Sequence, residues 1–395
     1  MAPGAIARSR TRPIRPERWR GLQPLSLPGR WPGPGEGLAL RLLARCLYAG
    51  DGSPRRGPNV SWPKRQGAGP VRLTEEVTPM RSPVPSFVFG LPRSGTTLLS
   101  VMLNNHPSIH CPPEPWIMLA LEALGRTHPA HPAGAGLIGT GYQAFLPEAQ
   151  RIKALRVFAR ALYQEKLQIA GKGHFIDKTP RYYCIFDFIL KVFPTAKSLF
   201  LVRNPLDVAA SYKNSWGVDL ALAIRQQSDT PHAMDFVLGL ELLAKESRRK
   251  NKNTYTLCYE SLTRNPAAAL SSLVSFLGFP MHENIEKFDL EGSAYKEHGL
   301  GDRNVLATTT PHQKSIGKWR TTFNKNELAI LLTAIGRDTL VALGYEAVAN
   351  ELRDMGVRDK GMDYCQYLRD VYAMHRDRRL LEMAGDCLYE ARPLP

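Results

Sequence analysis

Two patterns of apolar residues alternate from residue 84 onward, and together they predict the fold. Short β-prone apolar runs occupy residues 87–89, 174–177, 198–202 and 254–259. Segments with apolar residues at helical spacing occupy residues 97–105, 119–124, 149–169, 183–193, 206–213, 233–250, 266–277 and 326–344. Strands that alternate with helices favour a parallel sheet with helices on both faces. We therefore predict an α/β protein with three layers, α/β/α, around a central, mostly parallel sheet.

The first 80 residues lack these patterns. They are rich in proline, glycine and arginine, a composition typical of a disordered extension. The Arg-rich, acid-poor start is also typical of an organellar transit peptide, although its prolines oppose a helix. Nowhere does an apolar run approach the length of a transmembrane helix. We expect a soluble, cytoplasmic protein without an integral membrane segment, with organellar targeting as the alternative.

The net charge of +16 is unevenly distributed along the 395 residues. Residues 1–85 hold 15 Lys and Arg against five acidic residues, which accounts for +10 of the total. The mild positive bias of the remainder suits an anionic substrate and does not call for nucleic acid. The six cysteines are scattered without a C-x-x-C pair, so we expect neither a zinc site nor a disulfide framework.

Residues 90–97 read GLPRSGTT and follow the first predicted strand directly. Their two glycines have the spacing of a phosphate-binding P-loop, G-x-x-x-x-G-K-[ST], and the loop opens into a helical pattern. Thr96 stands where the P-loop has its lysine, while Arg93 supplies a cation earlier in the loop. The helix N-terminus still favours an anion. This pattern predicts a P-loop NTPase-like fold whose ligand is phosphorylated but is neither ATP nor GTP.

A second set of polar residues follows the apolar run 198–202. Arg203 stands at the end of this predicted strand, and Ser211 lies eight residues further on, in the next helix. Open α/β sheets bind ligands at the carboxyl ends of their strands. A guanidinium with a nearby hydroxyl suits a second, separate phosphate. Taken alone, Arg203 also suits a structural role at a strand end.

Together the two motifs resemble those of sulfotransferases that use 3′-phosphoadenosine-5′-phosphosulfate (PAPS). Residues 90–97 are similar to the 5′-phosphosulfate loop of that family, and 203–211 to its 3′-phosphate motif. Residues 258–266, 277–278 and 314–320 resemble the later strand-to-helix junction, a helix end and the loop that closes over the donor. The resemblance covers roughly residues 84–345. It implies PAPS as co-substrate and the following donor-binding residues: Arg93, Ser94, Gly95, Thr96, Thr97, Arg203, Ser211, Tyr259, Ser315, Gly317 and Lys318. We also expect no metal, because no aspartate of the Walker-B type is identifiable in the sequence.

The resemblance also implies three catalytic residues. Glu114 matches the carboxylate base of the tyrosylprotein branch, although prolines replace its two preceding residues. Lys178 matches the lysine which that branch places near the transferring group, and Arg93 would be the second cation there. Other roles remain open: Glu114 as a solvated loop carboxylate, Lys178 as a partner of Asp177. His106 and His110 are the alternative bases.

We therefore predict sulfuryl transfer from PAPS to a hydroxyl by in-line displacement. The alternatives are a P-loop kinase or other nucleotide phosphotransferase, and an inactive protein that binds PAPS or its product. The predicted segments are a disordered extension at 1–80, a sulfotransferase domain at 84–345 and a polar helical extension at 346–395. The acceptor can be a protein tyrosine, a glycan, a lipid or a small alcohol, and the sequence does not indicate the oligomeric state.

Overall fold

The computed structural model describes residues 84–127, 131–228, 230–249, 251–283, 285–287, 305, 311–359, 361 and 365–370. Our predictions of a disordered extension and of a transit peptide fall on residues that lie outside the described ones.

A five-stranded parallel sheet forms the centre of the described part. Its spatial order is β2-β3-β1-β4-β5, and every described strand pair is parallel. β2 has two residues, too few to give an apolar run, and the sequence analysis missed it. The other four strands lie where they were predicted. The strands are β1 (Ser86–Phe89), β2 (Ile109–His110), β3 (His174–Lys178), β4 (Ser198–Val202) and β5 (Thr254–Cys258).

Both faces of this sheet are buried. Phe87 and Phe89 of β1 point into one hydrophobic core, and Val88 points into the other. β4 divides in the same way, because side chains alternate between the two faces of a strand. Strands that bury both faces read as continuous apolar runs, which is why they could be found in the sequence.

Helices cover the two faces. The described ones are α1 (Thr96–Asn104), α2 (Ile117–Glu122), α3 (Ala135–Phe145), α4 (Glu148–Ala170), α5 (Phe186–Val192), α6 (Pro205–Ser211), α7 (Leu220–Arg225), α8 (Thr230–Met234), α9 (Leu240–Ser247), α10 (Tyr259–Arg264), α11 (Pro266–Leu277), α12 (Trp319–Thr322), α13 (Lys325–Ile335), α14 (Arg337–Ala342) and α15 (Glu346–Asp354). α1 and α11 pack on the face of Val88, whereas α2, α4, α5, α9 and α13 pack on the face of Phe87. The predicted three-layer α/β/α fold is thus confirmed.

Some predicted helices are interrupted. The segment predicted at 183–193 starts as a 3-10 turn (Tyr182–Ile185) before α5. A π-helical turn (Tyr212–Trp216) follows α6, and a second one (Asp235–Gly239) separates α8 from α9. Apolar spacing does not distinguish these turns from an α-helix, because one inserted residue barely changes the pattern.

The described part of the C-terminal segment packs against the rest of the fold. Leu352 of α15 and Leu368 are fully buried in the core on the face of Phe87. The boundaries that we predicted at 80, 84 and 345 stay predictions. Among the described residues, no helix is both long enough and apolar enough to cross a bilayer.

Candidate functional site

The loop after β1 takes a conformation that few residues adopt. Arg93 has φ 66° and Gly95 has φ 93°, both in the left-handed region. The ring of Tyr259, the first residue of α10, lies against Gly95, and a Cβ at residue 95 would be 2.6 Å from its Cε2 atom. Gly95 is therefore required both by its backbone angle and by the close approach of this ring.

The N-terminus of α1 faces the inside of this loop. Gly95 caps the helix without a side-chain hydrogen bond, and Ser94, Thr96 and Thr97 are buried around it. The first N–H groups of a helix have no intrahelical acceptor, and the helix dipole adds positive potential there. The loop therefore offers backbone donors and buried hydroxyls to an anion.

Arg203 follows β4, which is the neighbour of β1 in the sheet. Its Nη1 donates to the Arg93 carbonyl oxygen at 2.7 Å, and its Nη2 to the Ser315 carbonyl oxygen at 3.0 Å. Its guanidinium also lies over the Tyr259 ring, 4.4 Å from the centroid. The Nε atom is buried and has no hydrogen-bond partner among the described residues. A buried donor without a partner carries a free-energy cost that an anion would remove.

Ser211, the last residue of α6, contacts the first motif instead of Arg203. Its hydroxyl accepts a 3.1 Å hydrogen bond from Arg93 Nε. The two motifs, which the sequence analysis treated as two separate phosphate sites, therefore adjoin one another. The parallel pairing of β1 with β4 brings them together, since both loops leave the same edge of the sheet.

A loop before α12 lies over these residues. The Ser315 hydroxyl is 2.8 Å from the Tyr259 hydroxyl, so this loop contacts the same ring as Gly95 and Arg203. Asp207, in the first turn of α6, accepts hydrogen bonds from the backbone N–H groups of Gly317 at 2.7 Å and Trp319 at 3.1 Å. Lys318 lies between them in the chain, and its side chain is exposed.

Asp207 was not singled out from the sequence. Acidic residues are common in the first turn of helices, so Asp207 by itself does not indicate that it binds a loop 110 residues further along the chain. Burial raises the pKa of its carboxyl group, while the hydrogen bonds from Gly317 and Trp319 and the charge of Arg203 oppose that rise.

Glu114 and Lys178 form an ion pair on the β3 side of the loop that follows β1, whereas Arg203 lies on its β4 side. Lys178 Nζ lies 3.4 Å from Glu114 Oε1; the lysine side chain is fully buried, whereas that of Glu114 is 17% exposed. A parallel β-bridge between Pro113 and Lys178 aligns the two backbones. The prolines before Glu114 thus continue the strand pairing beyond β2. The pair stands beside the P-loop, because Lys178 is in register with Val88 of β1.

Asp177 lies beneath this pair and holds the end of β3. Its fully buried carboxyl group accepts hydrogen bonds from the hydroxyls of Tyr163 at 2.7 Å, Tyr182 at 3.2 Å and Thr179 at 2.8 Å. Burial raises its pKa to about 6, against the opposing effect of these three hydrogen bonds. The residue pattern did not indicate this cluster, because only the packing of α4 against β3 brings the Tyr163 hydroxyl to Asp177.

The two alternative bases occupy different surroundings. His106 is buried; its Nδ1 accepts from the Ser108 backbone N–H, and its Nε2 is 3.0 Å from the Pro280 carbonyl oxygen. These contacts fit a structural role at the end of α1. His110 packs edge-on against Phe175, and burial lowers its pKa to about 4. Within the described residues, no group of three or more His, Cys, Asp or Glu is arranged to hold a metal ion.

Comparison with known proteins decides the family. The family model described as "Sulfotransferase family" matches residues 85–283. The nodulation protein NoeE of Sinorhizobium fredii is 36% identical over 340 residues, which cover 81% of this chain and 80% of NoeE. The chain belongs to the sulfotransferase family. The predicted family and the predicted reaction, sulfuryl transfer, are thus confirmed, and neither the kinase nor the inactive binder is favoured.

More distant similarities cover parts of this chain. The protein-tyrosine sulfotransferase of Drosophila melanogaster is 26% identical over 209 residues, 50% of this chain and 39% of that protein. The sulfotransferase domain from the curacin biosynthetic pathway has 20% identity and a TM-score of 0.44, covering 63% of this chain and 97% of that one. Mouse sulfotransferase SULT7A1, solved with PAP, has 17% identity and a TM-score of 0.40, with 68% and 88% covered.

Proposed function

We propose that this sulfotransferase uses PAPS as its donor and transfers the sulfuryl group to a hydroxyl acceptor. The observation that carries the proposal is the convergence of Arg93 and Arg203, from two separate motifs, at the ends of two adjacent strands. A doubly phosphorylated adenosine needs two anion sites on one face. A P-loop that binds ATP has a lysine after its second glycine to reach the β- and γ-phosphates, and Thr96 stands at that position here.

The donor would be bound from both sides. Arg93, Ser94, Gly95, Thr96 and Thr97 would hold the 5′-phosphosulfate through backbone N–H groups, hydroxyls and a guanidinium. Arg203 would meet the 3′-phosphate, and its buried Nε supplies a donor that lacks a partner among the described residues. Ser211, Tyr259, Ser315, Gly317 and Lys318 would complete the site, Tyr259 beside the adenosine and the last three in the closing loop.

The transfer step follows from the positions of Glu114 and Lys178. The acceptor oxygen attacks sulfur in line with the bond to the 5′-phosphate oxygen, and that S–O bond breaks as the new one forms. Glu114 takes the proton of the acceptor hydroxyl. Negative charge grows on the leaving phosphate oxygen, where Lys178 and Arg93 are the cations that stabilise it. No metal takes part in this scheme.

A ligand titration by thermal melting tests the donor. We expect the spent donor 3′-phosphoadenosine-5′-phosphate (PAP) to raise the melting temperature, because ligand at about 100 times its Kd stabilises by roughly 2.7 kcal/mol. ATP with magnesium should have no such effect. Arg93→Ala and Arg203→Ala should each reduce the shift with PAP. A shift with ATP and magnesium but none with PAP would exclude the proposed donor.

The acceptor class calls for a separate assay. Radiolabelled PAPS incubated with tyrosyl peptides, oligosaccharides, lipids and small alcohols would show which hydroxyls receive sulfate. Transfer to any of these supports the proposed reaction, and the rates rank the acceptors. Failure with all of them, while PAP still binds, would leave the donor assignment standing and exclude the acceptors tested.

A further inference from the structure

Two π-helical turns face each other next to the P-loop. They are Tyr212–Trp216, directly after Ser211, and Asp235–Gly239. The Tyr212 hydroxyl, at the start of the first turn, donates to Asp235 Oδ2, at the start of the second, at 2.7 Å. π-helical residues are rare in proteins and are frequent at functional sites. The hydrogen bond between their first residues couples the positions of the two turns.

The link between the turns is firmly held. Asp235 is fully buried and also accepts hydrogen bonds from the Tyr183 hydroxyl and from Arg181, whose Nε and Nη2 donate at 3.0 Å and 2.9 Å. A buried carboxylate with this many donors is expensive to disturb. The start of the first π-turn is therefore fixed in place.

The π-turn brings Trp216 next to Ser211. Its backbone hydrogen bond runs from the Gly217 N–H to the Tyr212 carbonyl oxygen, the i to i+5 pattern that gives a wider turn than an α-helix. Side chains five residues apart then lie on the same side. Ser211 and Trp216 both reach Arg93: the Ser211 hydroxyl accepts from Nε, and the indole ring lies 5.2 Å from the guanidinium carbon.

Trp216 is itself supported on its other edges. Its ring packs edge-on against Tyr212, with centroids 4.9 Å apart, and at a tilt against His232, with centroids 5.7 Å apart. The residue is nevertheless 46% exposed, so it does not serve as a core residue. An exposed tryptophan held by two neighbouring rings, with one face toward a cation, fits the positioning of that cation.

We propose that Trp216 is a positioning residue for Arg93, and this inference rests on the proposed function. A guanidinium is planar and rigid, so the Ser211 hydrogen bond and the indole face together fix where its forked N–H groups point. That direction is toward the 5′-phosphosulfate group of the donor. Trp216 acts through Arg93 and touches neither donor nor acceptor itself.

Binding of two nucleotides distinguishes this role from a general loss of structure. PAP carries a 5′-phosphate, whereas adenosine 3′-monophosphate lacks it. Calorimetry should show that Trp216→Leu weakens PAP binding about 3- to 30-fold, the range expected for a cation–π contact. Binding of adenosine 3′-monophosphate should change less than about twofold. Trp216→Phe, which keeps an aromatic face, should restore most of the affinity, and Phe145→Leu, at an exposed aromatic residue of α3, serves as control.

A double-mutant cycle completes the test. In the Arg93→Ala background, Trp216→Leu should cause no further loss of PAP affinity. An equal loss for both nucleotides, unchanged PAP binding, or a loss that persists without Arg93 would each overturn the role of Trp216. A wild-type chain that does not bind PAP would overturn the proposed donor and this inference together. Normal wild-type binding with a silent Trp216→Leu would overturn the inference alone.

Discussion

The fully buried ammonium group of Lys178 lies 3.4 Å from the partly exposed carboxylate of Glu114. Lys178 is in register with Val88 of the P-loop strand β1, and the Glu114 side chain is 17% exposed. In the proposed mechanism, this ion pair would provide both the group that accepts the acceptor's proton and a group that stabilises the leaving oxygen. The two residues lie 64 positions apart in the chain, joined by the bridge between Pro113 and Lys178.

Glu114→Gln should lower turnover while sparing the donor. The amide keeps the shape of the side chain but cannot accept a proton, so we expect a loss of about 10²- to 10⁴-fold. The PAP dissociation constant should stay close to that of the wild type. Steady-state sulfate transfer and calorimetry with PAP measure the two quantities. Unchanged turnover would show that Glu114 is not the base and would favour His110, one of the alternative bases.

Lys178→Met should reduce turnover more than it reduces donor affinity. Methionine fills a similar volume but removes the charge near the leaving oxygen, which matters most in the transition state. The ratio of the effects on kcat and on the PAP dissociation constant is the relevant measurement. A thermal melt serves as control, since Glu114 remains partly exposed and tolerates the loss of its partner. A normal rate for Lys178→Met would rule out this role.

Asp207→Asn should loosen the loop before α12. The amide retains one acceptor oxygen, so one of the two hydrogen bonds to Gly317 and Trp319 is lost, each worth about 1.5–3 kcal/mol because the acceptor is charged. We expect faster PAP dissociation and faster tryptic cleavage after Lys314 and Lys318. Stopped-flow displacement and timed proteolysis check these outcomes. Equal dissociation rates in the two proteins would show that this loop does not retain the donor.

Gly95→Ala should abolish donor binding and destabilise the fold. The left-handed backbone costs an alanine about 1–2 kcal/mol, and the added Cβ would also overlap the Tyr259 ring. Gly171→Ala is the matched control, because Gly171 has φ 63° but nothing within 4 Å of its Cβ position. Urea unfolding of both variants separates backbone strain from the clash. If both lose the same stability, the Tyr259 contact has no energetic weight.

Acid should destabilise the fold through buried histidines. Burial lowers the pKa of His110 and His174 from the ordinary value of 6.5 to about 4. Each neutral histidine is therefore compatible with the folded state at pH values above about 6.5. Stability is lost as the pH falls from about 6.5 to about 4. Asp177 has the opposite sign, because its raised pKa of about 6 adds stability as the pH falls from there, but the two histidines outweigh it.

Urea midpoints at pH 7.5 and pH 5 measure this effect. His174→Gln should make the midpoint less dependent on pH, and for His174 the difference is on the order of 1 to 3 kcal/mol. His131→Gln, at an exposed histidine, should leave the dependence as it is in the wild type. A wild-type midpoint that rises toward pH 5 would contradict the assignment.

Local motifs account for what the sequence could predict. Residues 90–97 and Arg203 each belong to a strand followed by a helix, and the order of apolar runs, loop and helix is visible in a short window. The partner of Ser211 and the role of Asp207 depend on contacts between elements more than 100 residues apart in the chain. The π-turns likewise depend on the hydrogen bond between Tyr212 and Asp235, for which neighbouring residues give no sign.

The parallel pairing of β1 with β4 also affects how the site comes into being. Arg203 reaches the Arg93 carbonyl across 110 positions and the Ser315 carbonyl across 112, so only a contiguous fragment that includes residues 93–315 holds all three groups. With the donor site proposed above, a nascent chain would gain its affinity for nucleotide only after the loop at 315 has been synthesised and folded over α6. Nucleotide capture would then report completed folding of this site, and a cell rich in the nucleotide would protect the finished enzyme from proteases by mass action.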